Sequence, residues 1–234
     1  NRRVLDNVTC IIKENEMTAI VGISGSGKTT LCNLIARFWD VNEGEIKIGG
    51  NNIKDYTVEN LMDNISMVFQ SVYLFEDTIE NNIKFGNQNA TREEVVNAAK
   101  KAQCHDFIVS LPQGYNTSIG EGGASLSGGE KQRISIARAM LKDAPIIIFD
   151  EATANVDPEN EDKLKLAIES LTKNKTVIMI AHRLKTIRNA NQILVLNKGC
   201  IEQRGTHDEL MRQEGIYKDF INAKSMSENW SLNN

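Results

Sequence analysis

An eight-residue segment near the start of the chain constrains the fold more than any other feature. The apolar run of residues 18–21 leads into Gly-Ile-Ser-Gly-Ser-Gly-Lys-Thr at positions 22–29. This segment matches the phosphate-binding pattern G-x-x-x-x-G-K-[ST] at every fixed position, and such a loop joins a strand to a helix. The residues therefore predict a strand, a phosphate loop and a helix in this order.

The residue types in this segment suit a nucleoside triphosphate. A glycine-rich loop lets consecutive backbone N–H groups point at phosphate oxygens, and the following helix adds its positive N-terminal end. Lys28 can reach the β- and γ-phosphates, and the Thr29 hydroxyl can ligate the accompanying Mg²⁺. The alternative is an ordinary glycine-rich turn with a solvated Lys28.

Composition argues against several classes of protein. The 234 residues, 41% of them hydrophobic, suffice for one large domain or for one domain with a subdomain. The formal net charge of −4 disfavours nucleic acid as a partner, because phosphate backbones attract basic surfaces. Apolar stretches such as residues 177–181 fall far short of the ~20 residues that cross a bilayer.

Cysteine usage and the first residues suggest a cellular context. The four cysteines form no C-x-x-C pair, which disfavours a zinc site and a disulfide framework: Cys10, Cys32, Cys104 and Cys200. We expect reduced thiols in a cytosolic compartment. The chain starts without Met or a signal peptide, and we interpret it as an excised piece of a longer polypeptide.

The predicted strands indicate an α/β fold with a mostly parallel sheet. Two short strands are expected to form a small antiparallel layer, and three are expected to be buried: residues 4–12 and 45–48, then 145–149, 176–181 and 192–196.

Helices are predicted between these strands. One covers residues 91–102, where Thr91 and Glu94 have the spacing of a capping box, and another covers 158–171. A largely helical region occupies about residues 72–140. The polar segment 222–234 is predicted to be a frayed terminus.

A second candidate site follows the apolar residues 146–149. Ligands of parallel sheets bind at the carboxyl ends of the strands, so this strand is expected to bring Asp150 and Glu151 beside the phosphates. Asp150 is suited to hold Mg²⁺ through its water shell, and Glu151 to orient or deprotonate an attacking water. Either residue could instead be an exposed acid that caps the next helix.

The three histidines differ in their setting. His182 ends the strand predicted over 176–181, where it could hydrogen-bond a γ-phosphate oxygen and sense that phosphate. His105 has no such setting. His207 lies between Thr206 and Glu209, which have capping-box spacing, so a structural role is favoured there.

A glycine pair in residues 126–133, Leu-Ser-Gly-Gly-Glu-Lys-Gln-Arg, points to a second anion site. Ser127 and Glu130 have the spacing of a capping box at the start of a helix. That role does not explain Gly128 and Gly129, since each glycine costs a helix up to about 1 kcal/mol relative to alanine. Glycines at this position allow close backbone approach to a phosphate.

These motifs, in this order, resemble the nucleotide-binding domain of an ATP-binding cassette (ABC) transporter, and the resemblance covers about residues 4–221. It implies a P-loop NTPase (RecA-like) α/β fold over residues 1–221. A mostly parallel sheet core would be accompanied by an antiparallel β subdomain and an α-helical subdomain of about residues 72–140.

The resemblance also implies roles for single residues. Walker A supplies the nucleotide-binding residues Gly22, Ile23, Ser24, Gly25, Ser26, Gly27, Lys28, Thr29 and Thr30. The catalytic residues would be Glu151, the switch histidine His182 and the Q-loop glutamine Gln70. The ligands of Mg²⁺ would be Thr29, Gln70 and Asp150, the last of which ends the Walker B motif. The D-loop would contribute Asn155 and Asp157.

In this family two such domains pair head to tail. The signature residues Ser127, Gly128, Gly129 and Glu130 of one subunit would close over ATP that the other subunit holds. Residues 117–122 resemble the X-loop of exporter-type proteins, which contacts the coupling helices of a transmembrane domain. Residues 74–75 and 78–83 resemble the exporter segment after the Q-loop.

Three departures from the family pattern stand out. Glu130 replaces the commoner glutamine and adds a negative charge near the partner's nucleotide. Asn155 and Val156 replace the usual Ala-Leu pair of the D-loop. The aromatic A-loop residue that stacks on adenine would precede Val4, and none is present there.

The resemblance implies an ATP-hydrolysing motor domain on the cytoplasmic face of the cell membrane, fused to an N-terminal transmembrane domain. The alternative is a non-hydrolysing regulatory subunit of a heterodimeric transporter. A cassette ATPase of DNA repair is disfavoured, because no sustained heptads lie between Thr29 and Leu126.

Overall fold

The structure is a computed structural model that describes residues 3–69, 71–123, 125–150, 158–181 and 183–231. Its strands are β1 (Met17–Val21), β2 (Lys47–Ile48), β3 (Asn51–Asn52), β4 (Ile65–Phe69), β5 (Asp77–Thr78), β6 (Ser118–Ile119), β7 (Ile146–Asp150), β8 (Thr176–Ile180), β9 (Gln192–Asn197) and β10 (Cys200–Gly205).

Its helices are α1 (Lys28–Ile35), α2 (Val58–Asp63), α3 (Ile79–Lys84), α4 (Arg92–Lys101), α5 (His105–Ser110), α6 (Gly128–Lys142), α7 (Pro158–Thr172), α8 (Leu184–Arg188), α9 (His207–Met211) and α10 (Ile216–Ser231). Short 3-10 turns cover Ile53–Asp55, Gly114–Asn116 and Glu121–Gly123. In the described part of the chain, no helix is both long and apolar enough to cross a membrane.

The chain divides into two compact units. The first unit contains Asn1–Met62 and Thr176–Asn234, and the second contains Asp63–Lys175. In the first unit β1 lies between β8 and β9 and is parallel to both, while β10 pairs with β9 in antiparallel fashion. The strands bury Ile20, Ile193 and Leu194 completely, as expected of strands covered on both faces.

The second unit is built around α6. Strands β4 and β7 pair in parallel, and β5 and β6 form a short antiparallel pair. Helix α6 packs against α3, α4, α7 and β4, and its Ile134, Ile136 and Ala137 are fully buried. The predicted α/β class, with mostly parallel strands and additional antiparallel pairs, is confirmed.

Local patterns located α4, α7 and α9 and the buried strands β7, β8 and β9. Thr91 and Glu94 form the predicted capping box of α4, because each side chain accepts the backbone N–H of the other residue. Thr206 and Glu209 do the same for α9. Helix α7 buries Leu164, Ala167 and Leu171 on its predicted apolar face, while Ile168 is half-buried.

The strand predicted over residues 4–12 is wrong, because this segment is irregular. Asn7 has a left-handed backbone (φ 52°), which interrupts an extended run. The groups of this segment instead bond to distant residues: the Asp6 N–H donates to the Gly199 carbonyl, and Arg204 donates to the Thr9 carbonyl. The predicted strand 45–48 shortens to β2, which pairs with β3.

The terminal segment also differs from the prediction. Residues 222–231 continue helix α10, where a frayed end was expected. Tyr217 and Ile221 are buried and anchor the start of this helix, so the following turns extend an existing helix without a new nucleation step.

Arg138 joins α6 to α3 and to the segment before β5. Its guanidinium donates to the carbonyl and side-chain oxygens of Asn82 (2.9 and 3.1 Å) and to the Tyr73 carbonyl (3.3 Å). It also lies over the rings of Phe75 and Phe85, 5.6 and 5.4 Å from their centroids. Burial lowers the pKa of Arg138 to about 10, so the side chain stays protonated at neutral pH.

We expect Arg138→Ala to lower the free energy of unfolding by about 2–4 kcal/mol, because buried oxygens lose a charged donor. Arg138→Lys should recover only part of this loss, since an ammonium cannot reproduce the planar fork. Urea unfolding followed by circular dichroism measures the change. The exposed control Lys101→Ala should stay within about 0.5 kcal/mol of the parent chain. An Arg138→Ala midpoint equal to that of the control would contradict this role.

Candidate nucleotide-binding site

The phosphate loop of the first unit joins β1 to α1. Strand β1 ends at the buried Val21, and α1 begins at Lys28 with Gly27 as its N-cap. Residues 23–25 are exposed, whereas Ser26, Gly27 and Lys28 are buried. The exposed residues 23–25 thus lie just before the N-terminal end of a helix, which is an arrangement that binds anions.

Two glycines of the loop are required for different reasons. Gly27 has φ 103°, and a Cβ there would lie 2.6 Å from Cδ2 of Leu5. At Gly22 a Cβ would overlap the carbonyl oxygen of Leu196 in β9. The first glycine of the motif therefore allows close backbone approach, and the last allows a left-handed turn into the helix.

Lys28 folds back onto the loop that precedes it. Its Nζ donates to the carbonyl oxygens of Gly22 (3.0 Å) and Ile23 (2.9 Å), and the residue is only 8% exposed. The alternative of a solvated lysine is wrong. The loop thus contains a buried ammonium group that bonds to its own backbone.

The threonines that follow are positioned by the same helix. Thr29 is exposed and Thr30 half-buried in the first turn of α1.

The hydroxyl of Ser26 is buried and has no hydrogen-bond partner among the described residues. It lies close to Gly22, since a Cβ on that glycine would be 2.7 Å from the Ser26 oxygen.

Asp150 ends the pair of parallel strands in the second unit. It is half-buried at the carboxyl end of β7 and is paired in register with Phe69, the last residue of β4. The side chain of Gln132 in α6 donates to the Phe69 carbonyl (3.4 Å). Asp150 therefore lies at the carboxyl end of β7, beside the last residue of β4.

Five predicted site residues lie outside the described residues: Gln70, Glu151, Asn155, Asp157 and His182. The described strand β8 precedes His182 and is parallel to β1, with Ile180 paired to Ile20. Strand β7 precedes Glu151 directly.

The signature segment starts α6 with a complete capping box. The Ser127 hydroxyl accepts the Glu130 N–H (3.3 Å), and the Glu130 carboxylate accepts the Ser127 N–H (2.8 Å). This geometry explains why glutamate can replace the commoner glutamine, because the position needs a side-chain oxygen that accepts a hydrogen bond.

The N-terminal end of α6 is accessible from solvent. Ser127 and Gly128 are exposed, and a Cβ on Gly128 would meet no atom of the described residues within 4 Å. Gly129 is buried. Since the first N–H groups of a helix lack partners within the helix, this end can receive an anion from outside.

The two segments that resemble segments of exporter-type proteins contact each other. Strands β5 and β6 pair Asp77 with Ile119, and the Gly122 N–H donates to the Leu74 carbonyl (3.1 Å). Beside them lie three exposed rings, which we call the aromatic patch: Tyr73, Phe75 and Phe85. Ring centroids of Phe75 lie 5.4 Å from Tyr73 and 4.7 Å from Phe85.

The remaining candidate groups have structural roles. Nδ1 of His105 is 2.9 Å from the Tyr115 hydroxyl, and Nδ1 of His207 is 2.7 Å from the Tyr217 hydroxyl. None of the four cysteines forms a disulfide within the described residues. Burial raises the pKa of Cys104 to about 12, so this thiol is not reactive at neutral pH.

Gly199 and Arg138 are two residues near these motifs that sequence reasoning missed. The pattern Asn-Lys-Gly at 197–199 indicates a hairpin turn, but nothing in it shows a contact with the phosphate loop. Arg138 lies ten residues after Gly128 in the same helix, and its partners are more than fifty residues away in the chain.

A family model described as ABC transporter matches residues 5–154. The chain belongs to the ABC transporter family. It is 52% identical over 214 residues to an ATP-dependent lipid A-core flippase of Syntrophus aciditrophicus, which covers 92% of this chain and 36% of the relative. It is 50% identical over 221 residues to the flippase of the same name from Haemophilus influenzae, covering 94% and 38% of the two chains.

A solved structure has the same fold. A bacterial Atm1-family ABC exporter with ATP bound superposes with a TM-score of 0.90 at 42% identity, over 95% of this chain and 39% of that one. The chain therefore spans somewhat more than a third of the length of the relatives it matches.

We expect Lys28→Met to destabilise the ABC domain even without nucleotide. The Gly22 carbonyl would lose its ammonium donor and the Ile23 carbonyl would keep, among the described residues, only the Ser26 N–H, at a cost of about 1–3 kcal/mol in the free energy of unfolding. Thermal and urea unfolding of the nucleotide-free chain measure this change. The exposed control Lys13→Met should unfold like the parent chain. Equal stability of the two variants would show that the lysine does not support the empty loop.

Proposed function

We propose that this chain is the ATP-binding and ATP-hydrolysing domain that drives an ABC exporter. The observation that carries the proposal is the buried Lys28, which two carbonyls hold inside a glycine loop at the start of α1. The nucleotide-binding residues are those of the phosphate loop, 22–30. Membership in the ABC transporter family gives the reaction class, which is hydrolysis of ATP to ADP and phosphate.

The donor set suits Mg²⁺. Thr29, Gln70 and Asp150 offer hydroxyl, amide and carboxylate oxygens, which are the hard ligands that this ion prefers. Thr29 is exposed on α1, and Asp150 ends a strand at its carboxyl end, where ligands of parallel sheets bind. When bound, Mg²⁺ neutralises charge on the phosphate oxygens.

The protein's own groups would promote the attack of water on the γ-phosphate. Glu151 orients the water and accepts its proton, because a carboxylate can act as a base at this position. Lys28 stabilises the charge that develops on the phosphate oxygens. His182 and Gln70 hydrogen-bond the γ-phosphate and the attacking water, respectively.

A second nucleotide-binding domain would complete the site. Ser127, Gly128, Gly129 and Glu130 would face ATP held by the partner, with contacts from Asn155 and Asp157 of the D-loop. The exposed Ser127 and the open space around Gly128 support this role. Because the Ser127 oxygen accepts the Glu130 N–H, its own O–H can donate to a phosphate oxygen.

A transmembrane domain is the other partner. Related proteins whose names describe flippases and exporters are more than twice as long as this chain. The aromatic patch and residues 117–122 would contact its coupling helices, since exposed apolar surface beside backbone strands marks binding surfaces. The domain would then work at the cytoplasmic face of the cell membrane.

Glu151→Gln should keep MgATP binding and lose turnover by at least about 100-fold, because a base of this kind contributes 10²–10⁴ in rate. Steady-state phosphate release over a range of protein concentrations measures turnover, and calorimetry measures binding. The exposed control Glu93→Gln should hydrolyse ATP like the parent chain. Rapid release by Glu151→Gln would overturn the role of Glu151, and failure of the parent chain to bind MgATP would overturn the proposed function.

MgATP should cause Glu151→Gln to form dimers, and Gly128→Ala in that background should weaken the dimer roughly tenfold or more, because a contact to charged phosphate is lost. Alanine fits the free subunit at this position, so its folding should be unchanged. Sedimentation velocity at saturating MgATP gives the dimer affinity. Lys101→Ala in the same background is the control. Unchanged pairing in Gly128→Ala would exclude the signature from the interface.

A further inference from the structure

The turn between β9 and β10 contacts the phosphate loop. Lys198 and Gly199 form this two-residue turn with left-handed backbones (φ 47° and 85°), as the type I′ geometry of tight hairpins requires. The Gly199 N–H donates to the carbonyl of Ser26 (3.1 Å). The hairpin also meets the loop at Gly22, which has room only for a hydrogen beside the Leu196 carbonyl.

The bond to Ser26 has a consequence for the next amide. In a planar trans peptide the C=O and N–H groups point in opposite directions. Fixing the Ser26 carbonyl on Gly199 therefore aims the Gly27 N–H away from the hairpin. That N–H belongs to the last residue before α1, where a helix N-terminus presents its donors to an anion.

Residues 4–6, which we call the N-terminal strap, hold the turn from its other side. The Asp6 N–H donates to the Gly199 carbonyl (2.9 Å), and the Cys200 thiol lies 3.3 Å from the Asp6 carbonyl. The Val4 carbonyl lies so close to Gly199 that a Cβ on this glycine would overlap it. Leu5 packs against Gly27.

We propose that Gly199 is a positioning residue for nucleotide binding: its N–H orients the Ser26–Gly27 peptide of the phosphate loop, and the strap keeps Gly199 in place. This inference rests on the proposed binding of ATP by that loop. Any side chain at position 199 would displace the strap or the turn, and the Ser26 carbonyl would lose its donor.

Gly199→Ala tests the inference, with Gly44→Ala as the matched control. Both glycines have left-handed backbones (φ 85° and 81°), but a Cβ on Gly44 would meet nothing within 4 Å. Both variants thus bear the same conformational cost, and only Gly199→Ala disturbs the phosphate loop. Calorimetry with MgATP should give a Kd about tenfold higher for Gly199→Ala, as expected for one lost hydrogen bond, and little change for the control.

Amide hydrogen exchange of the unmodified chain supplies a second measurement. If the Gly199 hydrogen bond favours the binding geometry, MgATP must in turn stabilise that bond, because coupling between sites is reciprocal. We therefore expect exchange of the Gly199 amide to slow on MgATP binding. Because a ligand slows every amide that exchanges through unfolding of the whole domain, a purely structural turn would slow only as much as amides elsewhere in the chain, and the inference requires a larger slowing at Gly199.

Each outcome decides the inference. Gly199→Ala that folds and binds MgATP as tightly as Gly44→Ala overturns it. If Gly199→Ala does not fold, exchange at Gly199 of the unmodified chain that slows no more than exchange elsewhere in the chain overturns it, and a larger slowing at Gly199 supports it. Failure of the unmodified chain itself to bind MgATP would show that the proposed function is wrong, and the inference would fall with it.

Discussion

The phosphate loop depends on how its carbonyl groups are satisfied. A loop that turns its N–H groups toward an anion must turn its carbonyl oxygens the other way, and buried carbonyls need donors. Lys28 supplies two of these donors through one ammonium, to Gly22 and Ile23, and the Gly199 N–H supplies a third to Ser26. The shape of the loop therefore depends on Lys28, which belongs to the motif, and on Gly199, which does not.

The start of α6 has the opposite requirement, acceptors for its N–H groups, and meets it within four residues. Ser127 and Glu130 satisfy each other's N–H groups, so this helix end needs no distant partner. The hydrogen bonds of the Ser127 capping box lie within four residues, so a sequence pattern contains both partners. The bond from Gly199 to the phosphate loop joins distant residues, so the pattern of residues 22–29 does not contain it. A substitution of glutamine by glutamate is tolerated at position 130 because both side chains offer the oxygen that the cap uses.

Patterns confined to a few residues were therefore read correctly from the sequence. The capping boxes at Thr91 and Thr206 and the buried strand of residues 146–149 depend on neighbours in the chain, and the structure has them as predicted. Residues 4–12 were misread as a strand, because their hydrogen bonds go to residues near 200, which no local pattern reveals. Gly199 and Arg138 were missed for the same reason.

Arg138 illustrates what a distant contact contributes that a local one cannot. Burying a guanidinium is unfavourable unless its donors are used, and here they bind three oxygens of the segment that carries the aromatic patch. A leucine at this position would remove the charged donor from all three oxygens, and among the described residues only the Asn82 side-chain oxygen would keep another bond, from the Phe75 N–H. The exposed rings of Phe75 and Phe85 thus contact a side chain of the helix that the signature motif starts. Such order is costly for a surface that merely faces water, and it is expected of a surface that must present a fixed shape to a partner.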